Sequence, residues 1–329
     1  LAGLETSVAT RDMDKPFGGS SKADTADAIL ITGPTASGKS ALALELAERT
    51  NGVVINADSM QLYRELRLVT ARPDTSDEAR VPHWLYGVLP SSEAFSTGAW
   101  LKRVAQCLAE AKAAGLRPII VGGTGLYFRA LTHGFAEVPD VAADVRARCR
   151  QLAEEGGVEA VKAALLPLDP DAANRLIDLQ RLTRALEVVL SSGRTLASWQ
   201  ADKPGAPVLE PGTFASVVLA PPRAWLHARI AQRARMILVP EGVEEVRSLL
   251  GLDLPDALPA MRAIGIREIS AWAAGRLDLE EAEQQLVVAT RQYAKRQETF
   301  FRGQLGDWAR LDPSVPTEKE QFIQTHSAC

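Results

Sequence analysis

Ile29-Leu-Ile-Thr-Gly33-Pro-Thr35-Ala36-Ser37-Gly38-Lys39-Ser40 decides the fold of this 329-residue chain. An apolar run feeds G-x-x-x-x-G-K-S, and Ser40-Ala-Leu-Ala-Leu-Glu-Leu-Ala-Glu then takes up helical periodicity. That is the strand, loop and helix order of a phosphate-cradling P-loop. Gly33 and Gly38 permit backbone angles that a side chain forbids, so consecutive N–H groups can converge on one anion while the helix adds its positive end. Lys39 supplies a point charge and the Ser40 hydroxyl can hold Mg²⁺. A diphosphate or triphosphate ligand follows; the chemistry done to it does not.

Outward from the loop, short apolar runs alternate with helical periodicity, the pattern of an α/β fold with a P-loop parallel sheet. Candidate strands are Ala28–Thr32, Val53–Asn56, Arg117–Val121 and Ser216–Ala220. Between the last two lies a block that reads as helices only, with candidates Val141–Gln151, Gly157–Ala164, Pro170–Ile177 and Gln180–Leu190. It is expected to be an insertion near the carboxyl ends of the strands, where α/β sheets bind ligands. Further helices are expected over Arg223–Ile237, Glu241–Leu250, Met261–Ala274 and Leu279–Phe301. The expected organisation is a disordered extension over 1–27, a first core part over 28–140, the insertion over 141–211, a core return with C-terminal helices over 212–312, and a tail over 313–329.

Composition narrows the class. The net charge of −4 argues against bulk electrostatic attraction to nucleic acid, which would instead depend on local basic patches. No apolar run is long enough to span a bilayer, so no membrane association is expected. Residues 1–27 lack the basic-then-apolar order of a secretory signal. Cys107, Cys149 and Cys329 are widely spaced and odd in number, which argues against a disulfide framework or a zinc site and suits a reducing cytoplasm.

Four segments carry candidate chemistry. Asp58 closely follows Val53-Val54-Ile55, at the carboxyl end of a strand facing the P-loop; a carboxylate there can act as a general base or can cap a following helix. Gly122-Gly123-Thr124-Gly125 ends the next strand, where glycines admit a ligand and Thr124 can donate a hydrogen bond, or where a plain turn suffices. Arg229 and Arg233 are four apart on one helix face and could clamp an anionic leaving group, although such faces are commonly just solvated. Arg291 to Arg302 interleaves basic residues with Tyr293, Phe300 and Phe301, which suits either RNA contact or core packing.

In order along the chain, Gly33–Ser40, Asp58-Ser-Met-Gln-Leu-Tyr-Arg64, Thr70-Ala-Arg-Pro73, Gly122-Gly-Thr-Gly-Leu-Tyr127, Gln180-Arg-Leu-Thr-Arg-Ala-Leu-Glu187, Met261-Arg-Ala-Ile-Gly265 and Ala289-Thr-Arg-Gln-Tyr-Ala-Lys-Arg-Gln297 resemble the bacterial tRNA dimethylallyltransferases. The resemblance implies transfer of a dimethylallyl group from dimethylallyl diphosphate to N6 of the adenine 3′ of the anticodon, with Mg²⁺. It implies Asp58, Thr124 and Arg229 as catalytic residues. It implies a diphosphate site of Gly33, Thr35, Ala36, Ser37, Gly38, Lys39, Ser40 and Arg223, with Ser40 on the metal. For tRNA it implies Asp58, Ser59, Met60, Gln61 and Thr124, then Arg146, Gln180, Arg181, Leu182, Thr183 and Arg184, then Arg262, Gly265, Arg267, Lys295, Arg296 and Arg302. The target base must be extruded to expose N6, and the insertion is expected to grip the anticodon loop. A monomer is expected.

The chain departs from the family pattern at Glu65–Arg72, at Leu176–Leu179, and at Ile266 and Glu268. Three other readings are an adenylate isopentenyltransferase acting on AMP, a small-molecule kinase, and a non-catalytic nucleotide-gated RNA-binding protein. The helical block and the basic helix argue against the first, and a kinase would need a second acidic Mg²⁺ ligand and an arginine lid.

Overall fold

The computed structural model of the chain describes residues 26–136, 138–202 and 205–327. The extension expected over 1–27 lies outside these but for Ala26 and Asp27, and Cys329 also lies outside. The described residues form two compact units, one of those up to Arg129 and from Leu209 on, the other of those within Ala130–Val208.

The first unit holds a six-stranded sheet, all parallel: β1 (Ala28–Thr32), β2 (Gly52–Asn56), β3 (His83–Trp84), β4 (Arg117–Gly122), β5 (Phe214–Leu219) and β6 (Ala309–Leu311), in the order β3-β2-β4-β1-β5-β6. The expected α/β fold is therefore found. The four expected strands match β1, β2, β4 and β5 to within two residues. Strand β1 lies at the centre with Thr32 beside Gly122 on one side and Val218 on the other, so the P-loop emerges at the strand ends.

The helices of the chain are α1 (Lys39–Arg49), α2 (Thr75–Arg80), α3 (Thr97–Ala113), α4 (Gly125–His133), α5 (Ala143–Leu165), α6 (Pro170–Arg175), α7 (Leu179–Ser192), α8 (Leu196–Ala201), α9 (Arg223–Ile237), α10 (Pro240–Leu250), α11 (Ile266–Ala273), α12 (Leu279–Gln304) and α13 (Pro316–Ser327). Local chemistry starts them: Asp74 accepts from the amides of Ser76 and Asp77 at α2, Ser96 from Ala99 at α3, and Asp278 and Glu281 form a capping box at α12. On one face of the sheet Ile29, Ile31, Ile119, Val121, Val217 and Leu219 pack with Leu42, Leu46 and Ala47 of α1 and with Phe322 and Ile323 of α13. The segment expected to be a tail thus contains a helix with two side chains in the core.

The unit Ala130–Val208 contains α5 to α8, around Val145, Cys149, Val161, Leu165, Ala173, Leu182, Leu186 and Val189. The expected helices over 141–151 and 157–164 run together as α5, with a break where Gly157 has φ 59° and ψ −150°. That conformation needs a glycine.

Candidate active site

The P-loop takes its shape from two residues in left-handed conformation. Ala36 has φ 63°, and Gly38, at φ 89° and ψ 12°, caps α1 without a side chain. Beyond Gly38 the amides at the start of α1 point back into the loop, where the helix end is positive. Lys39 Nζ donates to the Pro34 carbonyl at 3.3 Å, which folds its chain over the loop. Burial lowers its pKa to about 8; the nearby Arg233 adds to the lowering and Asp58 opposes it. Ser37 Oγ is buried and has no hydrogen-bond partner among the described residues, an orphaned donor inside the cradle that an anion oxygen can accept from.

Three side chains from two distant helices complete the loop. Gln297 of α12 accepts the Thr35 amide at 2.8 Å and donates to the Gly123 carbonyl at 2.9 Å, joining the P-loop to the end of β4. Arg233 of α9 donates to Thr35 Oγ1 at 3.0 Å and to the Val69 carbonyl at 3.4 Å. Burial lowers the Arg233 pKa, and the charge of Asp58 counters that. One turn earlier, Arg229 Nε donates to the Ala36 carbonyl at 2.9 Å while its guanidinium lies 4.8 Å from the Trp225 ring centroid. The Arg229–Arg233 face is therefore aimed at the P-loop. Arg223, expected to help there, is exposed at the first position of α9 and makes no hydrogen bond to the loop.

Asp58 sits just past β2. Its Oδ1 accepts the Met60 amide at 3.0 Å, closing a turn, and no helix follows, so the helix-cap alternative is not what the residue does. Its Oδ2 lies over Gly123, where a Cβ would stand 3.3 Å from it and would collide with the Gln297 amide. Neighbouring Gly122 is as constrained, because a Cβ there would run into the Ala57 backbone. Thr124 ties the two strand ends: its amide donates to the Ala57 carbonyl at 3.2 Å, and its hydroxyl accepts from the Ser59 amide at 3.0 Å and donates to Ser59 Oγ at 3.3 Å. The charge of Asp58 reaches the phenols of Tyr86, Tyr127 and Tyr293; burial raises each phenol's pKa and that charge raises it further. They remain protonated donors at neutral pH. Asp58, Lys39, Arg233 and Thr124 thus converge beside one anion cradle.

A divalent ion would find few protein ligands. Among the described residues no group of three or more His, Cys, Asp or Glu side chains is placed to hold a metal. Ser40 is exposed at the start of α1, and a single hydroxyl with phosphate oxygens and water suits Mg²⁺, which keeps much of its hydration.

Of the expected RNA contacts in the first unit, Ser59, Met60 and Gln61 follow Asp58 in one irregular segment, and Arg262, Arg267, Lys295, Arg296 and Arg302 are all exposed. Gly265 is buried, with φ 112°, and its backbone starts α11. In the unit Ala130–Val208, Gln180 and Arg181 are exposed, Arg146, Thr183 and Arg184 half-buried, and Arg184 pairs with Glu187 at 3.3 Å. Leu182 is a correction: it is fully buried in that unit's apolar core and cannot present its side chain to RNA. Sequence reasoning does not single out Gln297, Tyr86 or Tyr127 as site residues, and it names Tyr293 only for RNA contact or core packing. Gln297 stood at the end of a matching stretch, but only the fold reveals that it reaches Thr35.

The IPP transferase family model matches residues 61–304, and the isopentenyl transferase model matches residues 26–83. A tRNA dimethylallyltransferase of Mesorhizobium japonicum is 50% identical over 295 residues, covering 89% of this chain and 91% of the relative. One from a Chelativorans species is 52% identical, covering 86% and 98%. Among solved structures, the tRNA isopentenylpyrophosphate transferase of Bacillus halodurans superposes with a TM-score of 0.63 at 31% identity, covering 90% of this chain and 94% of that one. A eukaryotic dimethylallyltransferase acting on tRNA gives 0.71 at 24% identity, covering 87% and 73%, a likeness of fold.

Proposed function

The chain belongs to the IPP transferase family, and from that premise we propose that it transfers a dimethylallyl group from dimethylallyl diphosphate to N6 of the adenine 3′ of the anticodon in tRNA, releasing diphosphate. The observation that carries the reading is the convergence of Asp58 and Thr124 with Lys39, Arg229 and Arg233 on the P-loop.

Transfer breaks the allylic C–O bond and forms a C–N bond at N6. The departing diphosphate takes the electron pair of the broken bond, so the protein's first task is to neutralise it. The backbone donors of Gly33–Ser40, the Lys39 ammonium and the Arg229 and Arg233 guanidiniums do so, and Ser37 Oγ adds a donor. A bound Mg²⁺, held by Ser40, would supply further charge neutralisation on the diphosphate. The second task is orientation of the amine. Thr124 and Ser59 line its approach, and Asp58 Oδ2 accepts the N6 proton as or after the C–N bond forms, because the neutral amine is far too weak an acid to ionise beforehand. The same carboxylate supports the cationic form of Lys39, linking acceptor and donor sites electrostatically.

The RNA would be held by the exposed cations Arg262, Arg267, Lys295, Arg296 and Arg302, and by Arg146 and Gln180 to Arg184 through groups other than the Leu182 side chain. No helix among the described residues is long and apolar enough to cross a membrane. A tRNA acceptor places the work in the cytoplasm, and a monomer suffices because one chain carries all the groups invoked. The alternative with AMP as acceptor leaves the second unit and the basic end of α12 without a task. Diphosphate release that depends on both Mg²⁺ and an RNA with adenine at the target position supports the reading; release with AMP alone would overturn it.

A further inference from the structure

The backbone of Val69 is gripped from two sides. Its N–H donates to Glu245 Oε1 at 2.9 Å, and its carbonyl accepts from Arg233 at 3.4 Å. The preceding amide, Leu68 N–H, donates to Glu245 Oε2 at 2.7 Å, so one carboxylate of α10 binds two successive backbone donors. This is charge-assisted, two-pronged recognition of the backbone, stronger than a neutral hydrogen bond and specific for one peptide orientation. The docking is close: Val69 is 2% exposed, and a Cβ at Gly265 would come within 3.0 Å of its side chain.

The gripped segment holds a residue of the site in turn. The carbonyls of Thr70 and Ala71, the next two residues, both accept from Gln61 Nε2 at 3.0 Å. Both amide hydrogens of Gln61 are thereby committed to the segment, which leaves Oε1 as its free accepting atom. Ala71 has φ 50°, a left-handed conformation that brings its carbonyl round to Gln61. A chain of contacts therefore runs from Glu245 through residues 68–71 to Gln61, three residues beyond Asp58.

Resting on the prenyl-transfer reading, we infer that Glu245 is a positioning residue for the RNA acceptor: it fixes residues 68–71 so that Gln61 presents a preset accepting oxygen to the RNA. Glu245 itself touches neither substrate. Its loss frees the segment and Gln61 with it, while the backbone cradle around Lys39 stays in place, held by Gln297 and Arg229, and Arg233 keeps its shorter bond to Thr35 Oγ1.

Steady-state transfer from dimethylallyl diphosphate to an anticodon stem-loop RNA, measured for the full chain, tests this. Glu245→Ala should raise the KM for RNA about tenfold, with the KM for dimethylallyl diphosphate changed about twofold or less. Glu245→Gln, which keeps one accepting oxygen, should fall between the two and remains informative if the alanine variant does not fold. In a Gln61→Ala background, Glu245→Ala should add little, since both changes cut one chain of contacts. Additive effects, or donor and RNA KM rising together, would overturn the assignment as a purely structural role. If the wild-type chain transfers nothing to RNA, the prenyl-transfer reading itself fails instead.

Discussion

Gln297 and Thr35 lie far apart in the chain, yet the Gln297 side chain accepts the Thr35 amide at 2.8 Å inside the P-loop. Through its other end it also holds the Gly123 carbonyl, so a single buried amide sets the spacing between the anion cradle and the strand end bearing Thr124. Replacing it with leucine keeps the volume but strands a buried donor and a buried acceptor, at about 2–4 kcal/mol together. Gln297→Leu should lower the melting temperature by several degrees and reduce turnover, measured by thermal unfolding and by transfer rate. Wild-type stability in this variant would contradict the bracing role.

The Lys39 pKa of about 8 makes anion binding pH-dependent. Diphosphate binds the ammonium form and holds its proton, so binding takes up a proton whenever the free protein has lost it. Inorganic diphosphate titrates in this range itself, so the Lys39 contribution is read as the ratio of wild-type to Lys39→Met affinity, which should be flat below pH 7 and fall as pH rises through about 8, by about tenfold at pH 9. Lys39→Met should bind weakly by calorimetry, with only the pH dependence that the ionisation of diphosphate itself brings. Folding stability runs the other way: the native pKa lies below that of the unfolded chain, so deprotonating Lys39 between about 8 and its unfolded value adds stability.

Asp58→Ala removes the proton acceptor but also a negative charge facing the anion site. Turnover should fall by about 10²–10⁴, while affinity for inorganic diphosphate holds or improves at pH 7. Because Asp58 supports the Lys39 ammonium, the pH midpoint of diphosphate binding should also move down in this variant. An unchanged turnover would remove Asp58 from the chemistry.

Arg229 bonds the P-loop and Arg223 does not, although both were read from one helix. Arg229→Ala should raise the KM for dimethylallyl diphosphate by about tenfold to a hundredfold. Arg223→Ala should change it by about twofold or less, as expected of an exposed surface charge. Equal losses would show that position along α9 matters less than its charge.

Much of this site was legible because the P-loop spacing is tied to backbone physics: Gly33 and Gly38 admit the turn, and the apolar runs flanking it mark β1 and α1. The central strands were legible too, since fully buried parallel strands read as unbroken apolar stretches. The two-residue β3 and the edge strand β6, Ala309-Arg-Leu, carry too little pattern to stand out. Helix α13 was hidden because its polar residues outnumber the Phe322-Ile323 pair that seats it. Leu182 was carried along in a matching run, and its burial is visible only once α7 packs on α5. Gln297 and Glu245 act across the fold, and Tyr86, Tyr127 and Tyr293, whose phenols feel the Asp58 charge, come from three separate segments, so no local spacing encodes these relations.

The most direct test incubates the purified chain with Mg²⁺ and radiolabelled dimethylallyl diphosphate, offering unmodified tRNA with adenine 3′ of the anticodon or AMP in parallel. Label should appear on that adenine in tRNA, at a rate about 10²–10⁴ lower with Asp58→Ala, and be absent from AMP. Label on AMP alone, or on neither acceptor, would contradict the account.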